Sequence, residues 1–458
     1  MKRRFKAAIW MTAMSLTAAA AGGCSNPNQE PAGAITEESV LETTVTTAET
    51  PAETTAPAET EKPGAAANPD QHDSEATDAD YLKTYFNVEL KADTWNAAAY
   101  EAGLKQVAGD EAPAISGELS WTAAIDAAVA AADFAELALS YPEDKVQERL
   151  AFYGVTAEAE PASLANLAVA LDTGLIDGDT AGKAAGDEAF TAADAEALLM
   201  AVAEANGDAR NYLGMSGDPD IYGKVDQMWN SFLLFDDPVL SEIGKNAVLE
   251  EISTGYGIKS DAYAARFLPE LTLQYGHDNI KHAHQLLGLL SSENIEAKVQ
   301  LEPKISIYQY LLEWGPVPEP TPTYEVKQFD DLYLVYAVEY DLQLEFNTTE
   351  EMLRFDQVIL DYAKKNEGNE DAVGLIYNSW WQPLYSTTKT GMPKGYEQMF
   401  DCVVQNGIYS IHPFALPENK DAVVAALTEM AGEDATVTPV ERFCNSAFYN
   451  YLSGADYQ

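Results

Sequence analysis

Basic residues are scarce in this chain. Its 458 residues include 27 lysines and arginines against 74 aspartates and glutamates, a net charge of −47. Such a field repels phosphate backbones and anionic lipid headgroups, which excludes nucleic acid and leaves cationic partners or neutral glycans. Anionic wall polymers are disfavoured on the same ground. Cysteine is nearly absent, with three residues, too few for a disulfide-built scaffold. Histidine is limited to five. There is no Gly-x-Ser-x-Gly, no phosphate-cradling glycine loop and no His-Glu-x-x-His. The common local signatures of serine hydrolases, nucleotide-binding proteins and zinc proteases are therefore missing, and nothing calls for a cofactor.

What is present begins at the N-terminus. Lys2, Arg3, Arg4 and Lys6 precede an apolar run from Ala7 to Ala21 that is too short to span a bilayer. The run ends in "AGGC", Ala21 to Cys24. Small residues just before a cysteine resemble the bacterial lipoprotein lipobox. The resemblance implies removal of residues 1–23, lipidation of Cys24 by two or three acyl chains, and a membrane-anchored, extracytoplasmic protein. An ordinary secretory signal is the alternative. From Ser25 to Asp80 the chain is built of Thr, Ala, Glu and Pro, with thirteen acidic residues, one lysine and no aromatic residue. A segment of this kind buries too little apolar area to offset its chain entropy and is expected to be a disordered stalk. Its ends would lie roughly 40 Å apart, enough to lift a folded part off a membrane.

Beyond the N-terminal segment, aromatic residues first appear in quantity at Tyr81, and residues 81–237 are expected to be helical. "WTAAIDAAVAAADFAELALSY" from Trp121, "SLANLAVALDTGLIDG" from Ser163 and "FTAADAEALLMAVAEANG" from Phe190 carry apolar residues at helical spacing. Thr191 and Asp194 suit a capping box. Gly174, Leu175, Ile176 and Gly178, then Phe190, Thr191, Asp194, Leu198 and Leu199, resemble the S-layer homology (SLH) repeat, with "SWTAA" at Ser120 starting a preceding unit. The resemblance covers roughly Leu119 to Phe232. It implies an all-α wall-binding module, but the arginine that such repeats use on acidic polysaccharide is replaced by Ala192 and Ala123. A helical spacer is the competing reading.

Residues 238–458 are expected to form an α+β sandwich, a sheet with helices on one face. "IEAKVQL" alternates as a strand, and "LYLVYAVEYDLQLEF" reads as a long strand or hairpin. Cys402 falls in a strand-like run and Cys444 in a stretch that reads as helical. The two are either a disulfide or separate thiols.

Four features compete as sites. In "YGHDNIKHAHQLL" three histidines fall within eight residues. On a helix His282 and His284 diverge by about 200°, and His277 lies about 10 Å from His284 along the axis. With Lys281 between them the metal reading fails, leaving histidines at a helix surface or rim. The acidic run from Asp172 to Glu188 lacks oxygen ligands at positions 3 and 5 of a calcium loop. The stretch "HAHQLLGLLSSENIEAKVQLEP" resembles the helix–strand unit of transglutaminase-like folds but has no cysteine to act as nucleophile. Carboxylates are so numerous that Glu302, Glu339 and Glu345, all on expected strands, cannot be ranked as a catalytic pair. The fourth feature is "NSWWQPLYS", in which Trp380, Trp381 and Tyr385 could stack on sugar rings, core packing being the alternative. The chain therefore reads as a surface lipoprotein that binds or scaffolds at the cell envelope; an envelope glycan hydrolase using unrecognised carboxylates is the second reading.

Overall fold

The structure, a computed structural model, describes residues 77–91, 95–110, 112–115, 119–186, 188–312, 315–362, 384–386 and 396–455. The first part is helical: α1 (Asp78–Phe86), α2 (Ala97–Ala108), α3 (Trp121–Ala131), α4 (Ala135–Leu139), α5 (Glu143–Phe152), α6 (Pro161–Asp172), α7 (Gly178–Ala185) and α8 (Ala192–Ala205). The helix starts follow side-chain chemistry. Ser120 caps α3, Asp177 caps α7, and Thr191 with Asp194 forms the reciprocal capping box of α8. The expected long helix after Trp121 breaks at Asp133, which adopts φ 58°. The "GLI" turn reverses the chain at Gly174 (φ 76°) and buries Leu175 and Ile176.

Small side chains let these helices approach. α6 packs on α3, α4 and α5, and α8 packs on α1, α2 and α3. A Cβ on Gly103 in α2 would lie 2.8 Å from Leu199 Cδ1, so a larger residue there would push the Leu199 side chain aside. Phe190 seals one end, edge-on to Trp121 at 4.7 Å between ring centroids.

The second part contains β1 (Gly214–Met215), α9 (Ile221–Ser231), α10 (Pro238–Leu249), β2 (Gly255–Ser260), β3 (Thr272–His277), α11 (Ile280–Ser292), β4 (Ala297–Gln309), β5 (Tyr324–Phe329), β6 (Leu332–Phe346), α12 (Thr349–Tyr362), β7 (Leu384–Ser386), β8 (Tyr396–Asn406), β9 (Tyr409–Ile411), β10 (Phe414–Ala415), α13 (Lys420–Ala431), β11 (Thr436–Asn445) and α14 (Ser446–Ser453). All the pairings are antiparallel. The strand path runs β4-β2-β9-β8-β11-β7-β3-β6, and pairing of β4 with β6 joins its two ends. The sheet is thus curled on itself, which a flat sandwich would not be.

The molecule is accordingly a helical region followed by a curled antiparallel sheet carrying helices. Helices α9, α11 and α12 cover Leu273, Val299, Leu301, Leu342 and Leu344. Helices α10 and α13 cover Ile258, Ile307, Cys402 and Val404. Full burial of each such side chain contributes roughly 1.5–3 kcal/mol. Helix α9 falls in the stretch expected to belong to the helical module, yet its Ile221 and Val225 are buried in the sheet's core, while the helical core ends at Ala209. Leu268 and Leu271, just before β3, insert back into the helical core. Among the described residues no helix is long and apolar enough to cross a membrane.

One buried carboxyl opposes folding at neutral pH. Asp356 in α12 is fully buried, with the Tyr396 hydroxyl as its partner, and burial raises its pKa to about 6. The folded state therefore holds a proton that the unfolded chain releases near pH ~3.9. The proton's stabilising contribution is complete below that value and is lost as pH rises through about 6. We expect Asp356→Asn to remove this dependence, so that its stability exceeds wild type at pH 8 but not at pH 4. Chemical denaturation at the two pH values checks it; equal differences at both would contradict it.

Candidate functional site

The site follows from one register. Pairing of β4 with β6 sets Lys298 opposite Glu345, Gln300 opposite Gln343, Glu302 opposite Asp341, and Lys304 opposite Glu339. Residues directly opposite share a face, so one face of this pair is polar along four successive rungs. The intervening rungs, Val299 with Leu344 and Leu301 with Leu342, lie under the helices. Curling then brings the polar faces of β2, β3, β4, β6, β9 and β11 around one cleft of about 500 Å³, which Tyr85 of α1 also lines.

Lys259 on β2 is its central cation. It reaches Glu302 at 3.2 Å and Asp341 at 2.5 Å, two carboxylates that face each other in register. Lys304 holds the other Asp341 oxygen at 2.7 Å. Burial alone would raise the Asp341 pKa, but the two ammoniums outweigh it and hold the carboxyl below its ordinary range. Burial would likewise lower Lys259, and Asp341 and Glu302 reverse that. Glu302 is also saturated by the Ala265 amide and Gln343. Glu339, in contrast, is pushed upward by burial despite Lys304 and the Ser306 hydroxyl.

Glu345, fully buried, joins the two parts of the molecule. It accepts from Arg210 Nε at 2.8 Å, Lys298 Nζ at 2.9 Å and the Leu268 amide at 2.6 Å. The Arg210 guanidinium lies 4.2 Å from the ring centroid of Tyr81 in α1. At the cleft mouth Tyr85 stacks on Tyr81 and donates its hydroxyl to the Phe267 carbonyl.

A second polar row lies on the opposite arc. The β8–β9 hairpin turns at Gly407 (φ 58°) and pairs Val404 with Ile411. Ser410 and His412 alternate onto the same side as Asp401. Ser410 Oγ is 3.0 Å from His412 Nε2, and His412 Nδ1 is 2.9 Å from Asp401 Oδ2. Arg442 on β11 stands 3.7 Å from the same Asp401 oxygen. Burial would raise Asp401, but His412, Arg442 and Lys259 hold it low. Ser410, His412 and Arg442 all line the cleft.

This row was missed by motif reading because Ser-x-His with an aspartate upstream matches no local signature. Its available signal was "QNGIYSIH": an Asn-Gly turn followed by alternation that sets Ser410 and His412 on one face. The strand carboxylates Glu302, Glu339 and Glu345 do converge on the polar face, but cations or N–H donors engage each of them.

The other expected sites fare differently. Asn279 caps α11, and Ala283, Leu286, Leu287 and Leu290 form its buried stripe. His282 is not a rim residue. It is 2 % exposed, with Nδ1 2.9 Å from the Tyr275 hydroxyl and its ring stacked on His277 at 3.6 Å. His284 instead meets Asp226 at 2.9 Å. Among the described residues no group of three or more His, Cys, Asp or Glu could hold a metal ion. Asp172 is bound by Arg149, Tyr141 and Tyr153. Cys444 lies in β11, where its cross-strand pairing with β8 outweighs the local helical signal. Cys402 pairs with Pro439, five residues from Cys444, so the two thiols face opposite sides of the sheet and are free. Cys24, Trp380 and Trp381 lie outside the described residues, and Tyr385 lies in β7 between β3 and β11.

No family model, curated protein or solved structure matches the chain.

Proposed function

We propose that the protein is a lipid-anchored bacterial envelope protein whose cleft binds a polar, uncharged segment of envelope glycan. The observation that carries the binding role is the cleft of about 500 Å³, in which Lys259 sits between Glu302 and Asp341, Thr272, Gln274 and Ser260 add polar side chains, and Tyr85 adds an aromatic ring to the lining. Glu302 is already engaged by Lys259, the Ala265 amide and Gln343 and has little attraction for a further cation. Hydroxyl-rich ligands suit such a lining, and an aromatic face favours the apolar side of a sugar ring.

The anchor reading rests on the sequence. The "AGGC" segment would place the acyl chains on Cys24, and the acidic Thr/Glu/Pro/Ala segment would serve as a stalk that ends by residue 76 and not at residue 80, because Thr77 caps α1 and Asp78 to Asp80 form its first turn. The SLH-like helical region would act as a spacer or wall-binding module between stalk and α+β part, its arginines being absent at Ala123 and Ala192.

The test is retention of the full chain on purified envelope polysaccharide and a neutral-glycan array, beside membrane partition of wild type and Cys24→Ala. We expect retention by at least one neutral glycan and release of Cys24→Ala into the soluble fraction. No retention on any polymer would sink the binding role, and a Cys24→Ala form that stays in the membrane would sink the anchor.

A further inference from the structure

We propose that the cleft is also a serine esterase site, with Ser410 as nucleophile, His412 as general base and acid, and Asp401 as the residue that positions His412, acting on acyl esters carried by a sugar-like alcohol. The alcohol part of this substrate rests on the glycan reading above; the nucleophile does not.

The geometry has the parts such chemistry requires, in the order it requires them. His412 uses both ring nitrogens, Nε2 at 3.0 Å from Ser410 Oγ and Nδ1 at 2.9 Å from Asp401 Oδ2. A carboxylate on Nδ1 fixes the tautomer whose Nε2 is free to accept a proton. Asp401 is 3 % exposed and held ionised by neighbouring cations, as an orienting anion should be. Ser410 is 5 % exposed, and it borders the cleft together with His412. Lys259 pairs directly with Ser410 across the β2–β9 register, so an ammonium side chain shares its face, and Arg442 lines the same cleft. Both already face carboxylates, Lys259 facing Glu302 and Asp341 and Arg442 facing Asp401, so either would have to share its charge with a developing oxyanion.

The reaction balances without a cofactor. Ser410 Oγ attacks the ester carbonyl carbon while its proton passes to His412 Nε2. The tetrahedral intermediate collapses, the C–O bond to the alcohol breaks, and His412 returns the proton to the leaving oxygen. Water then attacks the acyl-serine with His412 again as base, releasing the carboxylic acid and restoring Ser410.

A fluorophosphonate probe tests this on the full chain, with the adduct mapped by mass spectrometry. A p-nitrophenyl acetate assay and acetate release from an O-acetylated polysaccharide run in parallel. We expect one adduct, on Ser410, and its loss in Ser410→Ala along with at least about a 10³-fold fall in ester turnover. His412→Gln should slow labelling by about 10²-fold or more. Asp401→Asn should reduce turnover and change its pH profile, which a merely structural loss would not do. If Ser410→Ala does not fold, Ser410→Cys serves: iodoacetamide should alkylate residue 410 at neutral pH and do so more slowly when His412 is also Gln. A folded wild-type chain that binds glycan but takes no label at Ser410 overturns the esterase site and leaves the binding role intact. Label at Ser410 without glycan binding supports the nucleophile and overturns the sugar-like alcohol.

Discussion

Replacing Glu345 with alanine is expected to lower the unfolding free energy by about 3–5 kcal/mol, the usual range when one partner of a buried ion pair is removed. The reason is what remains. Arg210 and Lys298 lose their shared anion, and the buried amide of Leu268 loses its acceptor. Leu268 belongs to the helical core although it lies beside β3, so its displacement loosens the helical region from the sheet. Urea unfolding followed by tryptophan fluorescence would report the loss. Cooperativity should fall as well, because the two parts would no longer unfold together. An exposed pair such as Lys83 with Glu89 is the control, and Lys83→Ala should leave the midpoint unchanged. A midpoint shift for Glu345→Ala no larger than the control's would contradict the buried junction.

Lys259→Met is expected to cost a similar amount, about 3–5 kcal/mol at pH 7, for a different reason. Glu302 and Asp341 are directly opposite on neighbouring strands, an arrangement that is destabilising for like charges unless a cation intervenes. The effect has a defined pH dependence. Asp341 is held below its ordinary range in the folded protein, so its contribution is present above the unfolded value of ~3.9 and fades as pH falls below it. Without Lys259 that contribution shrinks to what Lys304 alone supplies. The difference between variant and wild type should therefore be greatest near neutrality and narrow below pH ~4. Guanidinium melts at pH 7 and pH 2 would show this. A difference independent of pH would mean that lost packing of the lysine stem, and not charge, governs the effect.

Local chemistry made much of the fold readable. The capping box at Thr191 and Asp194, the Asn279 cap and the stripe Ala283, Leu286, Leu287 and Leu290 are set by neighbours within one or two turns. Strands β4 and β6 were legible from alternation, but the identity of their partners was not. Whether Glu302 meets a cation depends on a register between segments some forty residues apart, and on Lys259 in a third segment. Strand β2, "GYGIKS", carries two glycines and went unread. Strand β3 was hidden beside the histidine helix. His282 looked polar and so peripheral; the Tyr275 hydroxyl and the His277 ring make its burial tolerable. For the same reason the Ser410–His412–Asp401 row was invisible to motif search, since a hairpin brings together what no contiguous pattern records.

The central claim is that the cleft between α1 and the curled sheet is where the protein meets its ligand. The most direct measurement is calorimetric titration of a retained envelope glycan into wild type, Tyr85→Ala and Thr272→Trp. The first variant removes the aromatic face at the mouth and the second fills the cleft. Affinity should fall at least about tenfold in each, equivalent to ~1.4 kcal/mol or more, in protein that far-UV circular dichroism shows to be folded at the titration temperature. Equal affinity in all three proteins would place binding elsewhere on the molecule and contradict the claim.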